Sequence, residues 1–399
     1  MRMRMIVAGM RRAANDETEH PMRQTQKTFL EFFAGGGMAR LGLGDSWRCA
    51  LANDLDPAKC AAYRANFGGG DLIEGDIAAL SAEDLPGERV DLAWGSFPCQ
   101  DLSLAGARGG MGAKRSGAFF PFWSLMEGLI AKGKGPRIIA IENVVGLLTS
   151  NGGRDFASVV NRMAHAGYSV TATILDARSF TPQSRPRLFI LGFAADLQLP
   201  GAASLPDDNA TPALVSAYEQ ISAQSKAHWF WLASAPRAGR NIRFSDIIEW
   251  DAPEWHMPAQ TEKLIAMMAP HQRARIDKLI EHGARRAGAA FRRTRIENGE
   301  TVQRVEARFD GLAGCLRTPA GGSSRQIVFA IENGEVRSRL ISPREAARLM
   351  GLPEDYRLPQ SANAALKLAG DGVCVPVVRW LAENVFEPAL GAAKSRKAA

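Results

Sequence analysis

Cysteine and histidine are scarce and scattered in this 399-residue chain. The five cysteines are Cys49, Cys60, Cys99, Cys315 and Cys374, and none forms a CxxC pair. An odd, dispersed set excludes a disulfide framework and provides no zinc site. The six histidines show no HxH or HxxxH spacing, so no metal is expected. No segment approaches the roughly 18–20 uninterrupted apolar residues of a membrane helix, so no membrane partner is expected. The opening "MRMRMIVAGMRRAAND" is basic, but its apolar stretch is too short for a secretory signal. Residues 1–27 therefore read as a disordered lead-in, and a cytoplasmic location follows by default. Internal repeats are absent, and the only biased tract is the small, basic tail 391–399, "GAAKSRKAA".

The remainder has the composition of a soluble globular protein with a sizeable core, 46% hydrophobic and 23% charged. Its length corresponds to about two to three domains. From Thr28 to Phe193, short apolar runs alternate with helical patterns. The runs are 28–34, 48–54, 71–77, 90–97, 137–144, 169–175 and 187–193. Asp56 and Pro57 start one helix as N-cap and first helical residue. The stretches 117–133 and 154–167 are helical as well. Near-continuous apolar strands separated by helices predict a doubly wound, mostly parallel, Rossmann-like α/β sheet covered on both faces.

The pattern breaks over 194–338, which is rich in Pro, Gly, Ala and Arg and reads as a second, smaller domain. A helix is expected over 261–286, and turns with short strands over 308–331. Order returns at 339–390, where Ser342 and Glu345 frame a capping box around Pro343. The net charge of +7 is concentrated in this second half, where arginines crowd positions 237–348. Such an excess fits a polyanionic partner or a solvated helix surface.

Four constellations carry chemistry. "FLEFFAGGGMARLGLG" takes a strand through Gly35, Gly36 and Gly37 into a helix, where a ligand can approach bare backbone. Asp54 and Asp76 end the next two strands, as a ribose and an adenine amino group would need, or they serve as a turn residue and a helix cap. In "GSFPCQDLS", Cys99 follows a strand end stiffened by Pro98. It is either inert packing or a nucleophile whose surroundings favour thiolate. Glu142 and Asn143 end a hydrophobic strand in "IENVV", and a carboxylate there is costly unless paired or working. Arg185 and Arg187 in "QSRPRLF" share one strand face and either hold a ligand or form surface ion pairs.

Taken together, these residues resemble the DNA (cytosine-5) methyltransferases. The resemblance spans 28–193 and 339–388 and rests on "FFAGGG", "NDLD", "GDI", "FPCQDLS", "RSGAFF", "IENV", "QSRPR", "RLISPREAARLMGLPEDY" and "GDGVCVPVV". It implies transfer of a methyl group from S-adenosylmethionine, giving S-adenosylhomocysteine, to carbon 5 of a cytosine flipped out of duplex DNA. Cys99 would attack carbon 6, Glu142 would serve ring nitrogen 3, and Arg187 with Arg185 would contact the cytosine carbonyl or orient Glu142. Asn143 would hold the Glu142 loop. The resemblance assigns the cofactor to Phe33, Gly35, Gly36, Gly37, Asp54, Leu55, Asp76, Ile77, Pro98, Asp371 and Val373. Residues 194–338 become a target-recognition domain, with Gln100, Ser103 and Arg325 as DNA contacts.

The chain departs from the family at four places. Asp371 replaces a usual Asn, Met38 a glycine, Glu31 an Asp, and Leu55 a frequent aromatic. Alternatives are a tRNA cytosine-5 methyltransferase, disfavoured by the long insert, and a non-catalytic DNA-binding relative, disfavoured by intact Cys99, Glu142 and Arg187. A monomer is expected, and a separate cognate restriction endonuclease is compatible with this reading.

Overall fold

The computed structural model describes residues 26–97, 118–207, 210–233, 239–283, 285–318 and 325–396. The expected lead-in up to 25, and the expected site residues Pro98, Cys99, Gln100 and Ser103, lie outside them.

The seven apolar runs form one sheet: β1 (Lys27–Phe32), β2 (Trp47–Asp54), β3 (Leu72–Glu74), β4 (Leu92–Gly95), β5 (Ile138–Val144), β6 (Ser169–Asp176) and β7 (Pro186–Phe193). Their order is β3-β2-β1-β4-β5-β7-β6. Neighbours from β3 to β5 are parallel, whereas β7 runs antiparallel to both β5 and β6. This is the expected doubly wound sheet with one reversed strand. The reversal matters for the site, because the start of β7 lies at the edge where β5 ends, with Arg187 opposite Val144.

Side chains along these strands alternate between two buried faces. Phe29, Trp94, Ala140, Phe189 and Leu191 enter one core, and Leu30, Phe32, Ala93, Ile141 and Ile190 the other. Helices α3 (Phe119–Ala131) and α4 (Arg154–His165) cover the second face with Phe122, Met126, Phe156 and Val160. The first face is covered by α1 (Met38–Leu43) and α2 (Pro57–Phe67). The returning C-terminal helices α5 (Pro343–Leu349), α6 (Ala362–Asp371) and α7 (Val375–Leu381) complete that layer. Asp56 caps α2, accepting from the amides of Ala58 and Lys59, and Ser342 with Glu345 forms the expected capping box of α5. The last helix, Glu387–Arg396, continues into the stretch expected to be a tail.

The insert divides its allegiance. Its first part stays with the large sheet: Trp229 bridges to Val170 of β6, and Leu214, Ala217 and Ile221 enter the core beside α4. The later part builds a separate antiparallel sheet of β8 (Arg286–Glu297), β9 (Glu300–Arg308), β10 (Ile327–Glu332) and β11 (Glu335–Leu340), ordered β9-β8-β10-β11. The expected helix is two helices, Pro258–Ala266 and Pro270–Glu281, separated before Pro270. The long β8–β9 hairpin was not anticipated. It and the β10–β11 hairpin both turn on Asn-Gly, Asn298-Gly299 and Asn333-Gly334, with positive φ at every residue. That pair suits the tight turn whose twist matches the flanking strands. Arg339 of β11 and Glu345 of α5 form a buried ion pair, Nη1 to Oε2 2.7 Å, which ties the small sheet to the C-terminal layer.

Candidate active site

The C-terminal edge of the large sheet gathers most of the expected residues. The strand order reverses direction at β1 and β4, and open α/β sheets bind ligands outside the strand ends at such a point. Glu142 comes from the end of β5 and Arg187 from the reversed β7. Arg187 Nε lies 3.1 Å from Glu142 Oε1, and both side chains are largely buried, 15% and 9% exposed. Asn143 lies on the opposite face of the strand and ties it to the segment just beyond β4. Its Nδ2 donates to Phe97 O at 3.1 Å, and its Oδ1 accepts from the Val144 amide at 2.9 Å. The chain therefore departs toward Pro98 and Cys99 from a clamped strand end beside Glu142.

Arg185 is placed differently from Arg187. It is buried, and its guanidinium donates to backbone carbonyls of two distant segments: Leu316 at 3.1 Å, and Gly370 and Gly372 at 2.9 and 2.7 Å. Burial, and then the charge of Arg187, push its pKa below the usual arginine value. Its contacts are those of a brace between the insert and the C-terminal layer. Gln183 braces the same joint, accepting from the Leu316 amide at 2.8 Å and donating to Leu349 O at 2.9 Å.

Cys315 was set aside in the sequence with the other scattered cysteines, yet it packs against both arginines. Its Sγ lies 3.4 Å from Arg185 Nη1 and 3.9 Å from both Nη atoms of Arg187. No spacing signal marks it, because the contact joins positions 128 residues apart. The remaining described thiols are inert packing: burial pushes Cys49 up to about 12, and Cys60 and Cys374 up to about 11.

The glycine turn lies at the same sheet edge. Phe33 adopts a left-handed φ of 59°, a conformation that costs about 1–3 kcal/mol for a non-glycine residue. Its ring meets Phe97 edge-on at 6.2 Å. A Cβ at Gly36 would collide with the Tyr356 hydroxyl, and one at Gly37 with Phe67. Gly35 (φ 56°) differs, because the nearest atom to its missing Cβ is Lys59 Cδ at 3.9 Å. Its open side is where a ligand can meet bare backbone.

Asp54 underlies this turn. Its Oδ2 accepts from the Gly35 amide at 2.7 Å and its Oδ1 from the Asp56 amide at 2.8 Å. Each oxygen retains a lone pair for a hydroxyl. Leu55 beside it is 65% exposed, an uncovered apolar surface. Asp76 caps a short 3-10 turn through the Ala78 amide, and Ile77 is buried next to it. Asp371 and buried Val373 close the opposite side from the end of α6. A bare glycine turn, two carboxylates at successive strand ends and an exposed apolar side chain between them fit S-adenosylmethionine.

Arg325, the expected DNA contact, turns toward the joint and donates to Ile341 O at 3.3 Å. A basic cavity of about 560 Å³ opens elsewhere on the insert, lined by Arg240, Arg243, Arg286, Asn241, Ser245 and Asp310 among others. No sequence motif marks it, because its arginines come from two separate segments. Among the described residues, no group of three or more His, Cys, Asp or Glu side chains is arranged for a metal ion, and no helix is long and apolar enough to cross a membrane.

The family model for C-5 cytosine-specific DNA methylase matches residues 27–387. The chain is 26% identical to the Type II methyltransferase M.BsuFI of Bacillus subtilis, over 94% of this chain and 76% of that protein. It is 28% identical to M.NlaX of Neisseria lactamica, over 92% and 98%. Among solved structures, the S. pombe Dnmt2 methyltransferase superposes with a TM-score of 0.56 at 18% identity, covering 91% of this chain and 99% of that one. A putative DNA modification methyltransferase encoded within an E. coli prophage gives 0.53 at 16%, covering 92% and 99%.

Proposed function

The chain belongs to the C-5 cytosine-specific DNA methylase family, and from that premise we propose that it methylates one cytosine within a specific duplex DNA site through a covalent Cys99 adduct. The observation that carries this reading is the Glu142–Arg187 pair, 3.1 Å apart at the sheet edge from which the Cys99 segment departs. A stacked cytosine cannot reach that edge, so the base is flipped into it.

Carbon 5 of cytosine is a poor nucleophile. Cys99, as thiolate, adds to carbon 6, and Glu142 serves ring nitrogen 3 so that charge does not build up there. Carbon 5 then carries the electron density of an enamine. S-adenosylmethionine, when bound, would supply the electrophilic methyl group; Phe33, Gly35, Asp54, Leu55, Asp76, Ile77, Asp371 and Val373 would hold it. Once carbon 5 carries the methyl group, a solvent water takes the carbon-5 proton, and the electron pair left behind re-forms the ring double bond and expels the Cys99 thiolate. Arg187 orients Glu142 and contacts the cytosine carbonyl, while Arg185 positions Arg187 through the joint that it braces.

The small sheet β8–β11 with its basic cavity is the DNA-reading part of the insert, its arginines neutralising phosphates. The DNA methylase family model, matched over residues 27–387, favours DNA over tRNA as substrate, and relatives named as methyltransferases favour a catalytic over a purely binding role. Tritiated methyl transfer to duplex DNA and to tRNA, with Cys99→Ser as control, tests all three readings. Label in DNA that disappears in Cys99→Ser is expected; label in tRNA alone, or none, overturns the proposal.

A further inference from the structure

Three segments distant in sequence meet beside the glycine turn. Lys59 rises from α2, Asp371 closes α6, and Thr318 belongs to the segment that leads out of the small sheet. Lys59 Nζ lies 2.7 Å from Asp371 Oδ2, and the Thr318 hydroxyl donates to the other carboxylate oxygen. The side chains are 17% and 30% exposed, so neither charge is fully solvated. Asp371 is also rigidly presented, because Arg185 holds the carbonyls of Gly370 and Gly372 on either side of it. The Lys59 stem is the nearest group to the open side of Gly35.

As an isolated feature, a partly exposed ion pair adds at most about 1 kcal/mol of stability. Its place over the one open glycine of the turn indicates a second use. We infer that Lys59 and Asp371 form a charge-paired clamp for the amino-acid end of the cofactor, Lys59 receiving the α-carboxylate and Asp371 the α-ammonium. This rests on the cofactor reading above; it adds Lys59, which the sequence motifs do not mark, and gives Asp371 a specific partner in the cofactor.

The chemistry selects that end of the molecule. The adenosine part carries no formal charge near neutral pH and the sulfonium is cationic, so the carboxylate is the only group complementary to Lys59. An ammonium has three N–H donors, and one suffices for Asp371. The pair and the amino-acid end each have zero net charge, so docking adds charge-assisted hydrogen bonds without burying an uncompensated charge. Asp371, which replaces the family's usual Asn, is thereby matched by a lysine on a different helix.

Calorimetric titration of the full chain with S-adenosylhomocysteine and with 5′-methylthioadenosine, which lacks the amino-acid end, tests the clamp. Lys59→Met is expected to weaken S-adenosylhomocysteine about 10–100-fold, the range of a charge-assisted hydrogen bond. Methylthioadenosine affinity stays unchanged, and Lys59→Arg restores most of the loss. Asp371→Asn is also expected to weaken S-adenosylhomocysteine, and the Lys59→Met/Asp371→Asn double variant to lose less than the two single losses combined. Unchanged S-adenosylhomocysteine binding in Lys59→Met overturns the clamp, as does an equal loss for both ligands. A wild-type chain that binds neither ligand overturns the cofactor reading and the clamp with it.

Discussion

Arg187 stands diagonally across from Glu142 on neighbouring antiparallel strands, and its Nε holds one carboxylate oxygen at 3.1 Å. The other face of the same guanidinium meets the Cys315 sulfur at 3.9 Å. Glu142 is thus oriented by Arg187, and Arg187 by Cys315. Arg187→Lys keeps the charge but loses the planar fork. Methyl transfer by this variant is expected to fall about 10²-fold or more, with kcat affected more than KM. Cys315→Ser is expected to change kcat by less than Cys315→Val, because only the hydroxyl still accepts from the two guanidiniums. Single-turnover kinetics on duplex DNA measures both.

Arg185 has another kind of consequence. Its donors satisfy buried carbonyls of Leu316, Gly370 and Gly372. Arg185→Met strips the donors from Gly370 and Gly372 and leaves Leu316 only the weak Cys315 thiol, and it is expected to destabilise the fold by roughly 3 kcal/mol or more. Denaturant unfolding should show the loss without cofactor or DNA. A variant as stable as wild type but inactive would instead place Arg185 at the substrate.

Glu31 gives the fold a pH dependence. Burial pushes its carboxyl up to about 8, against the pull of the Arg40 and Ala39 amides and the Arg40 charge, and its Oε2 has no partner. The folded state keeps this proton to higher pH than the unfolded chain does. The stabilising contribution is therefore complete below the unfolded value near 4.5 and is lost as pH rises through about 8. Between about pH 6 and about pH 8.5 the loss is on the order of 2 kcal/mol, and Glu31→Gln is expected to flatten it. Melting temperatures of the two proteins across this range provide the comparison.

The basic cavity of the insert predicts a salt effect. If Arg243 and Arg286 each neutralise one phosphate, replacing either by Ala lowers the slope of log affinity against log salt by about 1. Fluorescence anisotropy with cognate and unrelated duplexes should show similar losses for both. A loss confined to the cognate duplex would assign the arginine to base reading.

Much of this architecture was legible because it is local. Apolar runs marked all seven strands of the large sheet, and Asp56–Pro57 and Ser342–Glu345 marked helix starts that the structure places where expected. The β8–β9 hairpin escaped because Arg292, Arg293 and Arg295 interrupt the apolar alternation. Its Asn298-Gly299 turn was the signal to follow. The partners of the site were less legible. Nothing in the spacing of 59 and 371, or of 187 and 315, announces a contact, since those pairs exist only once the chain has folded back on itself.

The joint between insert and sheet has a property of its own. On the insert's side much of it is main chain: the amide and carbonyl of Ala313 meet Pro182 and Ser184, and those of Leu316 meet Gln183 and Arg185, with the Cys315 sulfur beside them. Peptide groups are the same in every sequence. A socket that grips mainly peptide groups can accept a different sequence in the incoming strand without redesign, provided that the strand follows the same path and keeps a small acceptor at 315. Such a coupling leaves the insert free to change in sequence while the large sheet stays as it is.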